Sequence, residues 1–227
     1  MPEINHRLQQ VYQQILLYEQ EFGRNPDSVK LLAVSKTRPA ADLLAAHQAG
    51  QNRFGENYLQ EALEKIQILK QLSLEWHFIG PIQSNKTRDI ASHFDWVHSI
   101  DRLKTARRLS EQRADDLAPL QLLIQVNTSD EQSKSGCHFD ELESLALAIS
   151  KLPRIKLRGL MTIPAPSQEF EQQRIPFRKL RKALQQLNEK GLALDTLSMG
   201  MSGDMRAAIA EGATMVRIGT AIFGTRS

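Results

Sequence analysis

The chain has 227 residues, of which 41% are apolar and 24% charged, with a formal net charge of +3 and one cysteine. That balance excludes disorder, the lone thiol excludes an internal disulfide and fits a reducing compartment, and no apolar run approaches the ~20 residues of a membrane span. The small basic excess is scattered, with no basic run interleaved with aromatics, so nucleic acid is not expected as the main partner.

An N-terminal helix is predicted from Ile4, Leu8, Val11, Ile15, Tyr18 and Phe22, whose spacings of four and three give one apolar face. From there strand-like and helix-like segments alternate. Lys30–Lys36 precedes a helix near Pro39–Ala49 that stops at Gly50, and Asn52–Asn57 precedes a helix reaching about Leu72. Trp76–Gly80 leads to Ser84–His93, and Trp96–Ile100 leads to a helix opened by Asp101, a good N-cap residue. Gln121–Asn127 is followed, after a polar loop, by Phe139–Lys151. Lys156–Ile163 runs into a helical stretch through Lys190, begun or interrupted near Pro176 and stopped at Gly191. Thr196–Met201 leads to Gly203–Glu211, and Met215–Phe223 closes the series.

Several of these eight strands are continuous apolar runs, as in a sheet covered on both faces. Eight alternating units within ~250 residues predict a (β/α)8 TIM barrel with an extra N-terminal helix, and a doubly wound open sheet is the alternative. No Pro/Gly/Ser-rich linker divides the chain, so residues 1–227 are expected to form a single domain. Met1-Pro-Glu-Ile begins no signal peptide, and the expected location is the cytoplasm.

In a barrel the strand C-termini point to the functional mouth. Those ends carry Lys36, Glu56, Asn57, His77, Ser99, Asn127, Met161 to Ile163, Gly200 to Ser202 and the run Arg217 to Thr220. Two segments have the form of a phosphate site. In Met199-Gly-Met-Ser-Gly-Asp204, Ser202 is placed to cap the following helix and Gly203 allows close backbone approach. In Val216-Arg-Ile-Gly-Thr220, Gly219 and Thr220 offer N–H groups and a hydroxyl past the eighth strand. Lys36, on the first strand, lies beside the eighth in a closed barrel. A lysine desolvated near Arg217 would be nucleophilic. Together with a phosphate cradle it fits a phosphorylated aldehyde, of which pyridoxal 5′-phosphate (PLP) is the commonest cofactor.

The motifs AVSKTRP, RFGENYLQE, WHFIGPIQSNK, VNTSDEQSKSG, RGLMTIP and LSMGMSGDMRAAIAEGATMVRIGTAIFG occur in this order from about Leu31 to Thr225. In them the chain closely resembles the pyridoxal phosphate homeostasis protein family, PLP-binding barrels related to the barrel domain of alanine racemases. The resemblance implies that Lys36 forms the internal aldimine with PLP, that Ser202, Gly219 and Thr220 are phosphate ligands, and that Arg217 faces the pyridine nitrogen. It implies that Asn57, His77, Met161 and Ser198 line the ring, and that Lys134 occupies the place of a lysine discussed in the family as an accessory cofactor contact. It also implies a PLP carrier in vitamin B6 homeostasis, with PLP-dependent apoenzymes as partners. Racemases add a C-terminal domain that supplies a tyrosine across a dimer, and this chain ends at Ser227. A monomer without strong catalytic activity is therefore expected, with an amino-acid racemase as the alternative and a Schiff-base aldolase as the other enzymatic reading.

Blander readings stand beside these. His77 also suits a satisfied core histidine, Glu56 a helix-start residue favoured by the dipole, and Lys134 a solvated loop charge. The Met199, Met201 and Met205 cluster suits packing under the mouth, and Cys137 reads as an incidental thiol in a polar loop. His93 and His98 straddle a helix-to-strand break, and with one cysteine no metal site is expected.

Overall fold

The eight expected strands pair in chain order and close on themselves. In the computed structural model, which describes residues 2–129 and 135–225, the strands are β1 (Lys30–Val34), β2 (Arg53–Glu56), β3 (Glu75–Phe78), β4 (Trp96–Ile100), β5 (Leu120–Gln125), β6 (Ile155–Met161), β7 (Thr196–Ser198) and β8 (Met215–Ile218). All neighbours are parallel, and β1 pairs with β8 from Lys30↔Met215 to Ala33↔Ile218, so the barrel has no free edge. The open-sheet alternative is excluded.

Nine helices fill the connections among the described residues: α1 (Pro2–Glu21), α2 (Ala40–Gln48), α3 (Leu59–Ile68), α4 (Thr87–His93), α5 (Leu103–Gln112), α6 (Phe139–Ile149), α7 (Phe170–Glu189), α8 (Met205–Ala210) and α9 (Thr220–Phe223). The period of two along each strand sorts the core. Ala33, Phe54, Phe78, Val97, Leu122, Leu197 and Val216 belong to the large apolar cluster shared with the helices. Trp96, Leu123 and Met161 form a separate small cluster inside the barrel.

Helix α1 buries Ile4, Leu8, Val11 and Ile15, the predicted stripe, and packs against α9, α2 and α8. Its buried Glu19 accepts hydrogen bonds from the N–H groups of Asp27 and Val29 and from Ser28 Oγ, which fixes the chain's entry into β1. No described helix is long and apolar enough to cross a membrane.

Four local expectations are corrected. Helix α5 starts at Leu103 with Arg102 at the cap position, so Asp101 stands one residue too early to cap it. Helix α7 runs through Pro176, which sits in its second turn and removes one N–H from the ladder. Helix α8 begins at Met205 with Asp204 at the cap position, so Ser202 lies in the turn before it. The terminal run Met215–Phe223 divides at Gly219 into β8 and α9.

Candidate functional site at the barrel mouth

The C-terminal ends of β1, β2, β6 and β8 and the loops after β3 and β7 enclose a cleft of about 390 Å³. Lys36, Asn57, Met161, Ser202, Arg217, Gly219 and Thr220 line it together, so seven of the nine predicted cofactor residues share one cavity. Ile163 and Met201, both expected at the mouth, supply apolar walls together with Val34 and Ile79, which sequence reasoning did not assign to the site. Larger clefts of about 490 and 530 Å³ lie at the opposite end of the barrel, where Glu19, Arg113 and Arg158 are tied into local structure.

Lys36 is half-buried in the turn after β1, and among the described residues its Nζ has no hydrogen-bond or ion-pair partner. The turn carrying it is held from both sides. Lys65, buried on α3, donates from Nζ to the carbonyl of Ser35 at 2.8 Å and to Glu56 Oε1 at 2.8 Å, and pairs with Glu61. Glu61 Oε1 in turn accepts the N–H of Thr37 at 2.6 Å. Thr37 has a φ of 62°, a left-handed conformation costly for a β-branched residue. The site's one unpartnered amine thus rides on a strained, clamped turn. Glu56 is fully buried, and burial pushes its carboxyl above the ordinary value despite Lys65. It works beneath the site as part of this clamp, not in the cleft.

Across the barrel seam, Gly219 sits where a Cβ would stand 3.1 Å from the carbonyl oxygen of Val34, a tight contact that a side chain would relieve only by a small shift, so the chain leaving β8 runs close to β1. Gly200 has a φ of +96°, and a Cβ there would stand 2.5 Å from Ala208 Cβ. That tight turn brings the Met201–Gly203 loop over the mouth. Asp204 Oδ1 closes the loop by accepting the N–H of Met201 at 2.6 Å, and Gly203 faces open space.

Arg217 is buried, and burial lowers its guanidinium to about 10, with Asp204 acting in the opposite direction. It donates to Ser198 Oγ at 2.9 Å and to the carbonyl of Thr162 at 2.9 Å. His77 and Ser198 do not line the cleft. Both are fully buried within the barrel, and His77 is the satisfied interior histidine of the blander reading, bonded to Glu75 and His98. Cys137 is buried, not exposed in its loop, because its backbone bridges to Val126, and burial pushes its thiol up to about 12. Lys134 lies outside the described residues. Of the three methionines, Met199 and Met205 are buried, while Met201 is exposed at the rim. Among the described residues no three His, Cys, Asp or Glu side chains converge in a way that could hold a metal ion.

A phosphorylated pyridine aldehyde needs an amine for its carbonyl, donors for its phosphate and apolar walls for its ring. Asn57 Oδ1 is buried without a partner at the cleft wall, which leaves one polar group there waiting for a ligand. An unpartnered amine, a fixed guanidinium, two glycine-bearing loops with hydroxyls and apolar walls complete a set that fits such a group.

Known proteins resemble the chain in sequence and fold. The family model for the alanine racemase N-terminal domain matches residues 7–227. Pyridoxal phosphate homeostasis proteins of Pseudomonas aeruginosa and Escherichia coli are 58% and 54% identical over 100% of this chain and 97% and 98% of their own lengths. PipY of Synechococcus elongatus, solved with PLP bound, superimposes with a TM-score of 0.86 at 36% identity, covering 97% of this chain and 100% of that one. Alanine racemase of Corynebacterium glutamicum shares the fold, with a TM-score of 0.69 at 21% identity over 96% of this chain and 62% of its own. The chain belongs to the pyridoxal phosphate homeostasis protein family, built on the barrel of the alanine racemase N-terminal domain.

Proposed function

We propose that the protein binds PLP at the barrel mouth and serves intracellular PLP homeostasis, with Lys36 as the covalent attachment point. The observation that carries this is the unpartnered Lys36 amine sharing one cleft with Arg217, Asn57 and the Ser202 and Gly219–Thr220 loops. Lys36 Nζ would hold the aldehyde carbon, with one water released on attachment and taken up again on release. Ser202, Gly219 and Thr220 would hold the phosphate through hydroxyl and N–H groups, and Arg217 would offer the ring nitrogen a guanidinium N–H. Bound PLP supplies the near-visible absorbance and the electron-withdrawing ring.

The protein acts as a carrier, not as a racemase. Racemisation takes a proton from one face of Cα and returns it on the other. Among the described residues that line the cleft, Lys36 and Arg217 are the ionisable side chains, and Asp204, whose charge acts on Arg217, closes the loop at Met201 instead of lining it. Reversible capture keeps the reactive aldehyde low and returns it to PLP-dependent apoenzymes in the cytoplasm, with the protein acting as a monomeric single domain.

Purified protein titrated with PLP should develop an absorbance band that survives dialysis, and Lys36→Ala should lose it. An unchanged band in Lys36→Ala would overturn the attachment. Cα deuterium exchange across a panel of L-amino acids at enzymatic rates would overturn the carrier role, and borohydride trapping with sugar phosphates alone would replace PLP with an aldolase substrate.

A further inference from the structure

A continuous line of side-chain hydrogen bonds runs through the barrel from the cleft to its opposite end. Arg217 Nη1 reaches Ser198 Oγ at 2.9 Å, and Ser198 Oγ reaches His98 Nδ1 at 3.0 Å. His98 Nε2 lies 2.9 Å from His77 Nδ1, and His77 Nε2 lies 2.8 Å from Glu75 Oε1. His77, His98 and Ser198 are fully buried, whereas Glu75, the first residue of β3, has a side chain 37% exposed at the end of the barrel away from the cleft. His77 stacks on Trp96 with ring centroids 5.4 Å apart, which fixes its plane.

The two ends of this line have no freedom. A guanidinium only donates and an ionised carboxylate only accepts. Burial holds both imidazoles below their ordinary value, His98 further lowered by its neighbours His77 and Arg217, so each ring carries one N–H. Only one proton order then satisfies every link. Ser198 donates to His98 Nδ1, His98 Nε2–H donates to His77 Nδ1, and His77 Nε2–H donates to Glu75. Ser198 Oγ is left with its lone pairs for Arg217. The reverse order would turn a bare His77 Nε2 towards the Glu75 carboxylate, so the carboxylate forbids it. Arg53 pairs with Glu75, Asp95 lies near His77, Arg158 stands over Trp96 paired with Asp195, and Lys30 and Arg113 line the clefts at that end.

We infer that Glu75, at the end of the barrel opposite the cleft, is a positioning residue of the PLP site, acting through His77, His98 and Ser198 to fix the donor geometry of Arg217. The inference rests on the proposed PLP site. It makes the two mouths of the barrel one electrostatic unit: whatever neutralises Glu75 at one end alters the grip at the other, and PLP binding acts back on Glu75 by the same factor.

The experiment compares wild type, Glu75→Leu, Ser198→Ala and the double variant, with Glu75→Ala as a second truncation should the leucine variant fold poorly. In PLP-free protein, imidazole 15N shifts should show His77 and His98 as single Nε2–H tautomers, and Glu75→Leu should give mixtures. With PLP, Glu75→Leu should weaken affinity by about three- to tenfold, the worth of one hydrogen bond, and shift the bound absorbance maximum. In the Ser198→Ala background the same change should have no further effect, because the line is already cut. Unchanged tautomers in Glu75→Leu, or an equal loss of affinity in both backgrounds, overturns the inference. Failure of wild type to take up PLP would instead sink the proposed function, and the tautomer measurement would still decide the proton order.

Discussion

Lys65 Nζ donates to the carbonyl of Ser35 at 2.8 Å, so one lysine holds the backbone of the residue that precedes another. Lys65 is buried with three partners, while Lys36 faces the cleft with none among the described residues. The pair divides the labour of a lysine, one providing a fixed charge and the other a free amine.

Lys65→Met should therefore destabilise the fold by about 3–5 kcal/mol, the usual effect of removing one partner of a buried pair. Glu56, already raised by burial, would be left with Ser35 Oγ as its donor at 2.6 Å and would take up a proton. Urea unfolding at neutral pH measures the loss. Adding Glu56→Gln should recover part of it, and PLP uptake should slow in both variants because the Lys36 turn loosens.

Stability should fall as the pH drops below about 6.5. Burial depresses both His77 and His98, so the unfolded chain binds more protons than the folded one below the unfolded value of 6.5. Their contribution is complete above that pH and is lost as the pH falls towards the folded values, at about 1.4 kcal/mol per pH unit for each proton. Glu56, raised in the fold, has the opposite sign and partly offsets the slope at the acid end. Urea midpoints between pH 7 and 5.5 should show the decline, and His98→Asn should flatten it by about half.

Glu211 closes α8 and is 1% exposed, with Oε1 accepting from Arg174 at 2.8 Å and Arg178 at 2.9 Å and Oε2 from Arg181 at 3.1 Å. Burial alone would push its carboxyl up, but the hydrogen bonds from Arg178 and Arg174 outweigh it and hold it below the ordinary value. Its stabilisation is thus present above the unfolded value of 4.5 and lost as the pH falls through the folded one. Glu211→Ala should cost about 1–3 kcal/mol at pH 7, since three partly exposed guanidiniums lose their shared acceptor. The difference from wild type, followed by chemical denaturation, should shrink below pH 4.

Gly200→Ala should cost about 2–4 kcal/mol, combining a left-handed φ with a steric clash at Ala208. The Gly200 carbonyl accepts the N–H of Arg217 at 3.0 Å, so the substitution should also disturb the mouth. Thermal unfolding and a PLP titration on the same variant should both move.

The barrel was legible in the sequence because short strand-like segments, several of them continuous apolar runs, alternate with helix-like ones eight times. The cleft was legible because Lys36, Arg217, Gly219 and Thr220 lie at strand ends. What escaped notice depends on contacts between distant residues. Lys65 reads as a solvated helix charge, and nothing local says that Glu56 and Ser35 will enclose it. His98 was weighed against His93, its neighbour in sequence, whereas its partners are His77 and Ser198, from strands on either side of the barrel. Cys137 looked exposed because its loop is polar, yet a single bridge to Val126 draws it inward.

Pairing of β1 with β8 also sets a timetable for synthesis. Lys36 leaves the ribosome well before Ser202, Arg217, Gly219 and Thr220, which share its cleft. Until β8 emerges, β1 lacks one of its two partners and the lysine stands without the proposed cradle. If Lys36 holds PLP as proposed, a chain that has not yet made β8 offers the aldehyde an ordinary amine, and selective capture begins once β8 pairs with β1.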